Sequence, residues 1–300
     1  MPYDCVVLAK QVPDTKNITG EAMTPEGTVN RAALPAIFNP EDMNALEAAL
    51  QVKEQYGGTV TVVTMGLPAA SEILRDSLYR GADRVILLTD IRFARADTLA
   101  TSYALSEAVK KIGKFDLVFS GRQAIDGDTA QVGPQAAEKL GIPQITYVEE
   151  ILKLEGNTIE VKKSIPGGYE IVRSRLPVLL TITSSANSPR PPAAKRLMQY
   201  KKARSTAEIE RELRGDAKTA PPDTVEAKKK DLAPRGLLIE QWDVDALEAD
   251  PEKCGGKGSP TMVRNIESIV LTAGDTKMIE PTDEGIHALV RELIEDHTLD

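Results

Sequence analysis

Three hundred residues hold only two histidines, two cysteines and one tryptophan, and aromatic residues make up 4% of the chain. His287 and His297 both fall near the C-terminus, which argues against a histidine-based metal or acid–base site. Cys5 and Cys254 stand far apart, so no disulfide framework is expected, and a reducing, cytoplasmic compartment is. Cys5 sits in an apolar run and reads as core. Cys254 lies among glycines and reads as exposed, but has no histidine beside it to make it a nucleophile. Nothing approaches the ~20 apolar residues of a membrane span, and no charged-then-apolar leader opens the sequence. Positive charge is also in deficit. Against 45 Asp and Glu there are 37 Lys and Arg, a net −8, which argues against a nucleic-acid partner. A chain this poor in catalytic groups is expected to carry no catalytic side chain and no metal ligands.

What is present is alternation. Cys5–Lys10, Thr59–Thr64, Arg84–Thr89 and Phe115–Ser120 are apolar runs of strand length. Between them lie helical segments, one starting at Asn39-Pro40-Glu41-Asp42 and ending at Gly57-Gly58, one closing at Gly81, and one running from Asp97-Thr98 to Gly113. This order predicts an α/β fold, a doubly wound and mostly parallel sheet with right-handed crossovers. Short strand-like segments at Ile151–Leu154, Thr158–Lys163, Tyr169–Arg173 and Val178–Thr183 are expected to extend it in antiparallel fashion.

The stretch Gly121–Pro134, GRQAIDGDTAQVGP, follows the fourth strand and opens a helix stopped at Gly141. Open α/β sheets bind ligands at such strand ends, where free N–H groups favour an anion. Gly121, Gly127 and Gly133 allow close backbone approach, and Asp126, Asp128, Thr129 and Gln131 supply donors and acceptors for a sugar or pyrophosphate. Composition alone fits a turn-rich surface loop equally well. The first strand is followed by Lys10-Gln11-Val12-Pro13-Asp14-Thr15 with no glycine fingerprint, so a ligand must be held by several strand ends together. Gly255–Thr261 is glycine-rich with a lysine, yet lacks the phosphate-loop spacing. Three regions are expected: a nucleotide-binding domain over 1–183, an extended arm contacting a partner over 184–250, and a C-terminal segment, 251–300. The last carries a helix through Ile286, Leu289, Val290 and Leu293 that packs on the partner or on the core.

Lys10–Thr15, Asn39-Pro40, Gly81-Ala82-Asp83, Gly121–Pro134 and the region from Glu170 to Thr181 together resemble the beta subunit of electron transfer flavoproteins over nearly the whole chain. That resemblance implies a Rossmann-like, adenine-nucleotide-binding fold and a heterodimer with an alpha subunit holding an FAD. By position, the nucleotide contacts would be Leu8, Ala9, Asn39, Pro40, Glu41, Asp42 and Met65. The loop would add Gly121, Arg122, Gln123, Ala124, Ile125, Asp126, Gly127, Asp128, Thr129, Ala130, Gln131, Val132, Gly133 and Pro134. The respiratory type holds AMP there, and the bifurcating type a second FAD. Gly127 where the respiratory type has an acid, Thr15 where it has an aromatic, and the tail Gly258-Ser259-Pro260-Thr261 are similar to the FAD-holding type. This implies flavin-based electron bifurcation with NAD(H) bound transiently. Further partners would be an acyl-CoA or other dehydrogenase, ferredoxin or a quinone reductase. The docking motif matches less well, with Ala194 in place of a leucine. An AMP-holding carrier is the alternative, and an ATP-binding sensor of the same fold a distant one.

Overall fold

The computed structural model describes residues 1–14, 35–215, 219–261 and 278–295. Thr15 and His297 lie outside the described residues. The first apolar run becomes β1 (Cys5–Ala9), buried at all five positions. A short hairpin, β2 (Gln11–Pro13) and β3 (Ala36–Phe38), precedes α1 (Pro40–Tyr56). Then come β4 (Val60–Met65), α2 (Ser71–Arg80), β5 (Arg84–Leu88), α3 (Thr98–Ile112), β6 (Leu117–Gly121) and α4 (Val132–Leu140). Gly141 ends α4 in the left-handed conformation, the position where a glycine stops a helix at least cost. β7 (Gln144–Glu155), β8 (Thr158–Ile165), β9 (Gly168–Arg175) and β10 (Val178–Ile182) follow.

β1, β4, β5, β6 and β10 form the parallel centre of a ten-stranded sheet, with order β5-β4-β1-β6-β10 across it. The chain winds outward from β1 through β4 to β5, then returns to lay β6 on the other flank of β1. The order of winding therefore reverses between β1 and β6, and that reversal opens a crevice at their carboxyl ends. One face carries Val7, Val62 and Phe119 against Leu46, Leu50 and Leu74. The other packs Val6, Val63 and Val118 against Ala104, Ala108, Ala136 and Ala137, small residues that let α3 and α4 lie close.

Two expectations are corrected. Val178–Ile182 is not an antiparallel extension. β10 pairs parallel with β6 on one side and β7 on the other, and the antiparallel pairings of this sheet are β7 with β8 and β8 with β9. All five β10 residues are buried, as a strand inserted into a sheet interior requires. The segment over 184–250, expected as an arm contacting a partner, also adds elements to the sheet. After α5 (Ala194–Tyr200) it contributes β11 (Arg204–Ser205), α6 (Thr206–Arg214), α7 (Pro222–Leu232) and β12 (Leu238–Trp242). β12 pairs parallel with β5 and β11 with β12, and Val225, Leu232, Leu237 and Ile239 are buried. Trp242 ends β12, with the Arg84 and Lys111 cations 5.6 and 5.5 Å from its ring centroid, a packing position. Cys254 is buried, not exposed. The last described element is α8 (Asp283–Glu295), none of whose residues is buried.

Candidate functional site

Register decides what meets at the crevice. Leu8 pairs with Ser120 across β1 and β6, and Ala9 pairs with Thr64 across β1 and β4. Alternation along a strand sends these polar side chains to opposite faces of the sheet. Both hydroxyls are buried, and neither Thr64 Oγ1 nor Ser120 Oγ has a hydrogen-bond partner. An orphaned buried hydroxyl costs on the order of 1–3 kcal/mol, so two of them flanking the end of β1 mark a place where a ligand's polar atoms belong. A Cβ on Gly133 would lie 2.6 Å from Ser120 Oγ. Only a glycine lets the start of α4 come this close to the strand end.

The loop after β6 is held open by the N-terminus of α1. Asn39 was expected as a helix cap, but its side chain caps nothing. It donates instead to Gln123 O at 2.9 Å and accepts from Ile125 N at 3.1 Å, fixing the loop. Glu41 accepts from Gln123 N at 3.0 Å and pairs with Arg122 at 3.2 Å. Asp42 accepts from Lys10 N at 2.8 Å and from Gly121 N at 2.9 Å, tying both strand ends to one carboxylate. Burial pushes the Asp42 carboxyl up to about 7, with those two N–H donors working against it. A Cβ on Gly121 would stand 2.5 Å from Asp42 Oδ1, so this residue too must be glycine.

The two acids of the loop, Asp126 and Asp128, are both engaged by neighbouring side chains. Lys10 Nζ lies 2.7 Å from both oxygens of Asp126, and Gln123 Nε2 donates to Asp128. Glu41 and the Tyr147 hydroxyl keep the Arg122 pKa above its ordinary value even though burial acts to lower it. Asp128 and Ala130 both take positive φ, bending the chain into the start of α4. That helix begins at Val132, inside the loop and three residues before the expected start. No side chain caps it and no acid occupies its first turn. The N–H groups of Val132 and Gly133 consequently find no carbonyl within the helix, and they share the crevice with the Ser120 hydroxyl. Together these donors fit the diphosphate of an adenine nucleotide: free N–H groups, the positive end of a helix dipole and a glycine-cleared approach.

Of the residues assigned from sequence, Asn39, Glu41 and Asp42 are gathered with Gly121–Ile125 by direct hydrogen bonds, with Pro40 as the first residue of α1 between them. The Leu8 and Ala9 side chains pack into the two core clusters on opposite faces of the sheet. Met65 ends β4, two strands from β6 in the sheet order. Thr129 and Gln131 are exposed, and Gly127 has open space around it. Lys10, Thr64 and Ser120 were not assigned. A Thr and a Ser at the carboxyl ends of otherwise apolar runs were the signal for the last two. The tail also reaches this edge. Asp97 accepts from Thr261 Oγ1 at 2.8 Å, Ser259 Oγ lies 2.8 Å from Asp97 N, and Thr98 Oγ1 donates to Gln131. A cavity of about 920 Å³ lies elsewhere, lined by Leu67, Ala207, Arg211, Val225 and Lys229. It contains neither of the two orphaned hydroxyls, and we place the site at the crevice.

Residues 26–212 match the electron transfer flavoprotein domain. The chain is 39% identical over 292 residues to the electron transfer flavoprotein subunit beta of Clostridium acetobutylicum, covering 97% of this chain and 98% of the relative. It is 40% identical over 296 residues to the caffeyl-CoA reductase–Etf complex subunit CarD of Acetobacterium woodii, covering 98% and 99%. To the protein FixA of Bradyrhizobium diazoefficiens it is 39% identical over 292 residues, covering 95% and 89%. Among the described residues no helix is long and apolar enough to cross a membrane.

Proposed function

This chain belongs to the electron transfer flavoprotein family as a beta-type subunit, and from that premise we propose that it holds a second FAD at the crevice and works in electron bifurcation. The observation that carries this is the cleared start of α4: free N–H groups at Val132 and Gly133 beside the unpartnered Ser120 hydroxyl. When bound, FAD supplies hydride and one-electron chemistry that no side chain here can perform.

The chain's own residues bind, orient and screen. The start of α4 and Ser120 hold the diphosphate. Asp128, Thr129 and Gln131 face the sugar side of the loop, and Thr64 offers a hydroxyl on the opposite face of β1. Lys10 and Arg122 neutralise Asp126 and Glu41, so a diphosphate entering this acidic protein does not meet unscreened carboxylates. Gly127 leaves the loop without a third acid where the dinucleotide passes. The tail at Ser259–Thr261, fixed by Asp97 next to Gln131, closes the edge where NAD(H) would approach.

The partner is an alpha subunit carrying the other FAD. α8 supplies a face for it: Ile286, Val290 and Ile294 are 53%, 40% and 52% exposed, and a helix with such a stripe ordinarily buries it. Exposed Leu197 and Met198 on α5 suit contact with a dehydrogenase. The test is the flavin and adenylate content of the protein copurified with its alpha partner. Two FAD per heterodimer is the expected result. One FAD plus one AMP would assign the AMP-holding carrier instead, and a colourless ATP binder would remove the whole reading.

A further inference from the structure

β7 breaks its register opposite Thr181. Leu180 pairs with Ile145 and Ile182 with Val148, so Thr146 and Tyr147 together face one residue, which is a β-bulge. Tyr147 takes a φ of 57°, a region that an aromatic residue enters only at a cost. Its N–H donates to the Thr181 hydroxyl at 3.2 Å. Core packing does not offset the strain, because Tyr147 remains 42% exposed.

What the bulge achieves is placement. The Arg122 guanidinium lies over the Tyr147 ring, 5.7 Å from its centroid, and pairs with Glu41 at 3.2 Å. Arg122 N also donates to Ile182 O at 2.9 Å, on the strand next to the bulge. Three elements thus converge on one cation: the start of α1, the end of β6 and the bulge in β7. Bulges beside functional sites re-aim side chains, and strain that the surrounding structure maintains concentrates there.

We propose that Tyr147 is a positioning residue of the nucleotide site, its bulge holding the ring against Arg122 so that the guanidinium stands as a fixed cation at the mouth of the loop. A cation held there favours the electron-rich, reduced form of the bound flavin ring. The inference rests on the reading that FAD occupies this chain.

The experiment compares the wild-type, Tyr147→Gly and Tyr147→Phe heterodimers by flavin content, thermal midpoint and reduction midpoint of the second flavin. Glycine accepts the positive φ without strain, so Tyr147→Gly is expected to melt no lower than wild type. Its second flavin should become harder to reduce, with a lower reduced-to-oxidised ratio at fixed potential. Tyr147→Phe keeps the ring and should recover most of that ratio. An unchanged midpoint in Tyr147→Gly overturns the proposal, and so does a lowered melting temperature with an unchanged midpoint. A wild-type heterodimer holding a single flavin would overturn the underlying FAD reading as well, which separates the two failures.

Discussion

The helices α1 and α8 differ in the opposite sense to what their sequences suggest. α1 carries Glu41, Asp42, Asn44 and Glu47 among its buried residues, and every position from Asn44 to Leu50 is buried, all the way round the helix. α8 has an apolar stripe at Ile286, Leu289, Val290, Leu293 and Ile294, yet buries nothing. Helix α1 is covered twice. The sheet takes Leu46 and Leu50, while the segment after β10 takes the polar side through Asn44–Asn187 and Arg190–Glu47 contacts. Amphipathicity is therefore a guide to burial only when a helix has one covered face. A polar helix buried on both sides is tied by specific hydrogen bonds. An amphipathic helix left bare by the described residues has a stripe still to be covered.

The sharpest way to break this contrast is at Asp42. Asp42→Ala strands the buried N–H of Gly121 and the part-buried N–H of Lys10, and is expected to cost about 3 kcal/mol. At roughly 2 °C per kcal/mol for a chain of this size, the melting temperature should fall by about 6 °C. A fall of under a degree would mean that α1 does not hold the strand ends. Arg190→Ala removes the cation from buried Glu47 on the outer side of α1. Because Arg190 is itself part-exposed, the expected loss is about 2 kcal/mol, below the range for a fully buried pair. Limited proteolysis should then cut within 184–192, and an unchanged digestion pattern would count against the second cover.

For α8 the expectation reverses. Ile286→Asp with Val290→Asp should leave the stability of the isolated chain within about 0.5 kcal/mol. Affinity for the alpha partner, read by titration, should weaken about thirtyfold if these are central anchors. Unchanged affinity would leave the bare stripe without a cover.

A pH slope reads the same carboxyl by another route. The Asp42 carboxyl binds its proton more tightly folded, at about 7, than it would unfolded. Its contribution to stability is therefore full below about pH 4 and declines as pH rises towards 7. Denaturant titrations of Asp42→Asn should show a flatter dependence in that window than wild type.

Much of this was legible because local signals and tertiary structure agreed. The Cys5–Ala9 run, the Asn39-Pro40 helix start and the Gly141 stop each have a local physical cause, and each recurs in the structure. That the Gly121–Pro134 loop leaves a parallel strand and runs into a helix was legible for the same reason, and such loops lie at the ligand-binding edge of open α/β sheets. What escaped depends on pairings distant in sequence. No local pattern reveals that β10 inserts between β6 and β7, or that Leu238–Trp242 returns to β5 after 150 residues of chain. Asn39 misled because a capping residue and a loop-holding residue look identical in sequence. Tyr147 was invisible because a bulge is a property of two strands.

The account turns on where the diphosphate sits, and a structure of the heterodimer as purified tests that most directly. Phosphate oxygens should lie within hydrogen-bond reach of Ser120 Oγ and the N–H groups of Val132 and Gly133. A nucleotide bound elsewhere, with the start of α4 facing open solvent, would contradict the account.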